Sequence, residues 1–147
     1  MRKTFIWRHR KENLKKCSLS GLEGVEGLVF FTYPTDPLPE LTGAVVLQVG
    51  APPLSLEDKD CDLLLIDGTW RYAEVMAGQL PHGLAARSLP GGSVTAYPRR
   101  QEVEGGLASV EALYLAHHLL GRRTEGLLDH YYWRGPFLER NRELLSR

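Results

Sequence analysis

Hydrophobic positions in this chain fall in short blocks separated by proline and glycine, and the form of each block predicts an element. Thr4 to His9 (TFIWRH) reads as a first strand. Gly27 to Tyr33 (GLVFFTY) is a nearly unbroken apolar run, as expected of a strand covered on both faces. It stops at Pro34-Thr35-Asp36-Pro37, because proline cannot continue a hydrogen-bonded ladder. Gly43 to Val49 (GAVVLQV) repeats the pattern and closes on Gly50-Ala51-Pro52-Pro53. Asp62 to Ile66 (DLLLI) follows, and Leu84 to Leu89 makes a further short strand before Pro90-Gly91-Gly92. Val94 to Tyr97 fits neither period.

Other segments carry helical spacing. Trp70 to Leu80 is expected to be a helix, with Thr69 as its N-cap and Pro81 as its stop. Leu107 to Leu120 places Leu107, Val110, Leu113, Tyr114, His117 and Leu120 along one stripe, with Gly121 as C-cap. Thr124 is positioned to cap a short helix, and Trp133 to Leu145 reads as the last one. Buried strands alternating with helices predict an α/β fold, a mainly parallel sheet flanked by helices. Ligands of such sheets collect at the carboxyl ends of the strands. Two loops fall there, Val49-Gly50-Ala51-Pro52 and Asp67-Gly68-Thr69-Trp70.

Composition adds limits. The 147 residues are 43% hydrophobic and 24% charged, which suits one globular unit. No apolar run reaches the roughly 18 residues of a membrane-spanning helix. Met1 to Lys16 is basic but lacks the apolar stretch and small-residue cleavage site of a signal peptide, so a cytoplasmic protein is expected. Cys17 and Cys61 stand alone, outside any metal-ligand spacing, so no metal is expected and both read as free thiols.

The formal net charge is zero, but the charges are segregated. Seven Lys or Arg residues and one acid lie between Arg2 and Lys16, whereas Lys59 is the one cation from Glu23 to Asp67. Arg99-Arg100, Arg122-Arg123 and Arg134 return positive charge late in the chain. Such a chain can present one basic face to phosphates while the remainder stays neutral or acidic.

The most specific chemistry is at Asp67-Gly68-Thr69-Trp70. Gly68 permits a tight turn and close approach of a ligand, Thr69 caps the helix, Trp70 offers a flat apolar surface, and Asp67 sets a carboxylate at a strand end. That carboxylate could hold an ammonium group or accept a proton. His117 and His118 are adjacent on a helix and cannot form an i,i+4 metal pair, so they read as packing and surface residues. Tyr131-Tyr132-Trp133 reads first as packing for a terminal helix, with stacking on a splayed-out base as the alternative. Glu111 suits capping of backbone donors as well as it suits catalysis.

The Asp-Gly-Thr-Trp block after an apolar strand resembles the signature of the DTW-domain family. Arg8 to Gly21 (RHRKENLKKCSLSG), Gly106 to Ala112 (GLASVEA) and Trp133 with Phe137 to Asn141 resemble, in the same order, motifs of the Tsr-three family of ribosome-biogenesis proteins. The pattern departs in places. Ser18 stands for the family's Thr, Leu19 for the Gly after it, no Asn-Pro precedes Tyr97, and the zinc-type cysteines of many bacterial DTW proteins are absent.

The resemblance implies an RNA aminocarboxypropyltransferase of the SPOUT-like superfamily with a C-terminal trefoil knot. It also implies a small N-terminal α/β subdomain over 1–60, suited to RNA, and a cofactor-binding subdomain over 61–147. S-adenosylmethionine would donate its 3-amino-3-carboxypropyl group to N3 of a uridine-type base, in small-subunit ribosomal RNA for a Tsr-three-like enzyme. Asp67 is then the expected catalytic residue. Ser18, Leu47, Val49, Asp67, Trp70, Leu89, Tyr97 and Ser109 are expected at the cofactor, and Arg8, Arg10, Lys11, Lys15, Lys16, Arg99 and Arg100 at RNA phosphates. A monomer acting on structured RNA, without a membrane, completes the expectation. Transfer to a tRNA uridine, methyl transfer from the same cofactor, and a non-catalytic role in ribosome assembly remain open at this point.

Overall fold

The computed structural model describes residues 2–11, 17–90, 93, 95–96 and 107–146, with the Trp70 side chain outside the description. Five strands, β1 (Thr4–His9), β2 (Leu28–Tyr33), β3 (Val45–Leu47), β4 (Leu63–Asp67) and β5 (Ala85–Arg87), form one sheet in the order β2-β1-β4-β3-β5. Every pairing in it is parallel. The expected mainly parallel α/β sheet flanked by helices is therefore what the chain builds. Residues 1–60 supply β1, β2 and β3 and residues 61–147 supply β4 and β5, so β4 lies between two strands of the first segment.

β1 is buried along its whole length, and its side chains alternate between the two faces. Ile6 joins Leu65, Leu28, Leu113 and Phe137 on one face, under α2 (Ser109–Leu119), α3 (Arg134–Arg140) and α4 (Arg142–Leu145). Phe5 and Trp7 join Phe31, Val46, Leu64 and Met76 on the other, under α1 (Trp70–Ala77). Arg8 pairs in register with Asp67, so both fall on the Ile6 and Leu65 face, and His9 falls on the opposite one.

Several elements are shorter than their apolar blocks. α1 ends at Ala77 rather than Leu80, because Gln79 and Leu80 donate to the carbonyls three residues back and tighten the last turn before Pro81 is reached. Thr124 starts no helix. Gly126 has φ +81°, and the bonds Leu127 N to Thr124 O and Asp129 N to Gly126 O close separate turns. The expected final helix is two, α3 and α4, which meet at Asn141. Gly121 follows α2 as expected.

Capping is divided between local and distant residues. Thr69 Oγ1 accepts from Tyr72 N at 3.4 Å, as the sequence predicts. Thr69→Ala is expected to lower stability by about 1 kcal/mol or less, read as a shifted urea midpoint at unchanged slope. At α2 the N-cap position is Ala108, which has no acceptor side chain. Ser18 supplies it from the N-terminal loop, accepting from Val110 N at 3.0 Å.

At the amino-terminal edge of β1, Thr4 Oγ1 donates to His117 Nε2 at 2.8 Å, and His117 Nδ1 donates to the Arg123 carbonyl at 3.0 Å. That arrangement needs a neutral ring. Burial first, then the charge of Arg122, holds the His117 pKa below its usual value. His9 is lowered as well, by burial and by Lys11 and Arg10. Above the unfolded value of about 6.5 both states bind no proton, so this contribution to stability is fully present. As pH falls below that value the unfolded chain takes up protons first, and stability declines. The melting temperature is expected to fall between neutral pH and pH 5, less steeply in His117→Gln, as thermal scans across that range would read.

Candidate active site

The carboxyl end of β4 delivers Asp67 into a cluster drawn from three parts of the chain. Asp67 is 2% exposed. Its Oδ2 accepts from Arg8 Nε at 3.1 Å and from the Cys17 thiol at 3.2 Å, and its Oδ1 accepts from Ser109 Oγ at 2.9 Å. The register of β1 against β4 sets Arg8 beside Asp67, and the N-terminus of α2 brings Ser109. Cys17 and Ser18 come from the turn before Leu19, which is fully buried and pins that loop to the core.

Arg8 was expected at RNA phosphates. Its guanidinium is instead turned inward, donating to Asp67 and to Glu23 Oε2 at 3.2 Å, with its carbon 4.8 Å above the Phe30 ring. Burial opposes its charge, but the hydrogen bond to Asp67 and the neighbouring negative charges outweigh that penalty and raise its pKa. Arg8 therefore neutralises Asp67 inside the fold. Cys17 is in the opposite condition. Burial and the charge of Asp67 push its thiol up to about 12, so at neutral pH it is a protonated donor and not a nucleophile.

Leu47 and Leu89 lie half-buried against the same core residues, and the loop between them is tied by Gln48 N to Arg87 O and Leu54 N to Ser88 O. Val49 is 51% exposed and is the apolar residue that this edge leaves open. Arg10 and Lys11 are exposed just beyond β1. Lys15, Lys16, Tyr97, Arg99, Arg100 and the Trp70 side chain lie outside the described residues. So does part of the Val94 to Tyr97 segment.

Glu111, on the first turn of α2, is fully buried and is an anchor. Its carboxylate accepts from Thr95 Oγ1 at 2.6 Å, Ala96 N at 2.8 Å, Ala108 N at 2.9 Å and Tyr131 Oη at 2.9 Å. Tyr131 is thus a core residue, as the packing reading expects, while Tyr132 is 81% exposed and edge-on to Trp133. A cavity of about 650 Å³ opens elsewhere, at the amino-terminal ends of β3 and β5, and none of the expected site residues lines it. Among the described residues no group of His, Cys, Asp and Glu could hold a metal ion, and no helix is long and apolar enough to cross a membrane.

The arrangement offers two serine hydroxyls at the N-terminus of α2, one neutralised carboxylate and an apolar edge. An N-terminus with hydroxyls suits a carboxylate or other anion, and the leucines suit an apolar or aromatic group. No family model matches the chain, and no curated protein matches it. Among solved structures it is similar to the SAM-dependent rRNA:acp-transferase Tsr3 from Vulcanisaeta distributa, with a TM-score of 0.80 and 23% identity over 99% of this chain and 82% of that one. At that identity the two chains share a fold.

Proposed function

We propose that this chain transfers the 3-amino-3-carboxypropyl group of S-adenosylmethionine to N3 of a uridine-type base in small-subunit ribosomal RNA. The observation that carries the reading is the meeting of separate sequence blocks at one point. Cys17 and Asp67 share a hydrogen bond, Asp67 and Ser109 share another, and Ser18 caps the helix that Ser109 begins. The likeness in fold to Tsr3 supports it.

Ser18 accepts from Val110 N, which leaves its hydroxyl proton to donate to the carboxylate of the donor's amino-acid arm, beside Ser109. Leu47, Val49 and Leu89 are assigned to the wall for the adenosine and methyl portions, and the same role is assigned from the sequence to Trp70 and Tyr97. Asp67, whose oxygens already accept three donors, is assigned to fixing the position of Ser109 and the Cys17–Ser18 turn rather than to removing a proton, so the N3 proton of the base passes to solvent. The bound sulfonium supplies the activated carbon, and the pocket decides by positioning which carbon meets the base. Arg10, Lys11, Lys15, Lys16, Arg99 and Arg100 are assigned to phosphates.

The reading extends to a knotted C-terminal half over 61–147 behind an RNA-facing segment over 1–60, and to a monomer working in the cytoplasm. Incubation with ribosomal RNA and S-adenosylmethionine tests the reaction. Methylthioadenosine is the expected product, whereas S-adenosylhomocysteine alone would replace this reading by methyl transfer. A protein that binds no S-adenosylmethionine would leave only an assembly role.

A further inference from the structure

One ring cluster has no part in the cofactor geometry. His9 and Tyr72 stack with centroids 3.9 Å apart and planes 9° from parallel. Tyr33 lies 5.4 Å from His9 on its other neighbour strand, and Trp7 stands edge-on to Tyr33 at 5.4 Å. The rings thus run from the core of the α1 face of the sheet to its carboxyl edge and end at Tyr72, which is half-buried. Gly68 touches the end of the series. A Cβ placed there would lie 3.4 Å from His9 Cβ and 3.5 Å from Tyr72 Cβ, so the stack is seated against the loop that carries Asp67.

Positive charge gathers at the same place. Lys11 Nζ is 6.0 Å from the Tyr72 ring centroid, and Lys11 N donates to His9 Nδ1 at 3.1 Å. Arg10, Lys11 and Arg71 are exposed. The charges of Lys11 and Arg10, after burial, hold the His9 ring neutral, so the ring backing Tyr72 stays an uncharged stacking partner. A rigid aromatic surface with flexible cations beside it is the combination that holds unpaired nucleotides, the ring taking the base and the cations the phosphates.

We propose that Tyr72, backed by His9 and flanked by Arg10 and Lys11, is a stacking platform for an unpaired RNA base next to the nucleotide that is modified. The inference rests on the RNA reading given above and adds a positioning residue to it. Asp67 and Ser109 serve the opposite face of the sheet, so the platform holds the RNA strand while the other face holds the donor.

Anisotropy of an end-labelled oligouridylate in low salt tests the platform. Tyr72→Leu is expected to weaken binding roughly ten-fold or more, with affinity for S-adenosylmethionine unchanged, and Tyr72→Phe to bind as the parent does. Lys11→Gln, at an exposed position, is expected to reduce the salt slope by about 0.7. Ultraviolet cross-linking of a thiouridine-substituted oligouridylate to the unaltered protein, mapped by mass spectrometry, reads the contact without any substitution. Parent-like binding by Tyr72→Leu, no binding by the parent, or cross-links confined to peptides lacking both His9–Lys11 and Tyr72 would overturn the platform. Tyr72-dependent binding without release of methylthioadenosine would overturn the proposed reaction and leave the platform standing.

Discussion

Glu111→Ala is expected to cost about 3–5 kcal/mol of stability. The side chain is fully buried and accepts from donors in three segments, at Thr95 and Ala96, at Ala108, and at Tyr131. Alanine removes the acceptor from the amides of Ala96 and Ala108 and leaves a cavity beside Tyr131. Each buried amide deprived of its acceptor costs about 1–3 kcal/mol, and the void adds to that. Glu111→Gln retains the volume and one oxygen, so a smaller loss is expected. Urea denaturation gives both values. If Glu111→Ala unfolded at the parent's midpoint, the anchoring role would be untenable.

Asp67→Ala is expected to cost a similar amount, about 3–5 kcal/mol, because it strands a buried guanidinium. Arg8 retains Glu23, but that carboxylate is 45% exposed and replaces only part of what is lost. The distinguishing measurement is a pair of variants. Removing both charges, Arg8→Met with Asp67→Leu, is expected to be less harmful than Asp67→Ala alone, because no unpaired charge remains inside. Equal losses would mean that the pair does not act as a unit. A second readout is affinity for S-adenosylmethionine, which on the proposed assignment falls in Asp67→Ala even in conditions where the variant is folded.

The fold was legible where apolar residues run nearly unbroken, although β2 is an edge strand that leaves Val29 exposed rather than covered on both faces. Leu28–Tyr33 lies inside an apolar run that no amphipathic helix would carry, and Leu63–Asp67 carries another one residue further, to Asp67; both are strands. Boundaries were less legible, because they depend on turn geometry. Gly126 halts a helix that Thr124 could have opened, and the tightened end of α1 precedes the proline that marks it. Pairing order was not legible at all, since nothing local says that β4 inserts between β1 and β3.

At the candidate site, the motifs point to Asp67, Ser18 and Ser109, whereas the charge pattern places Arg8 in the basic arm. Its position in the alternation of β1 was the available signal, two residues after Ile6 and therefore on the same buried face. Ser18 as the cap of α2 left no local trace, because a cap is normally sought beside its helix and this one is 92 residues away. The ring stack leaves no local trace either. His9 and Tyr72 are far apart in sequence, and only the packing of the sheet edge makes them neighbours.

The register of β1 has one more consequence. Arg8 and His9 are consecutive, yet they face opposite sides of the sheet, one towards Asp67 and the other towards Tyr72. Deleting one residue from β1, or sliding it one place along β4, would turn each to the other side of the sheet: the guanidinium would leave Asp67 for the apolar α1 face, and the imidazole would come round to the Asp67 face. Strand β1 is thus the ruler that keeps two surfaces in phase.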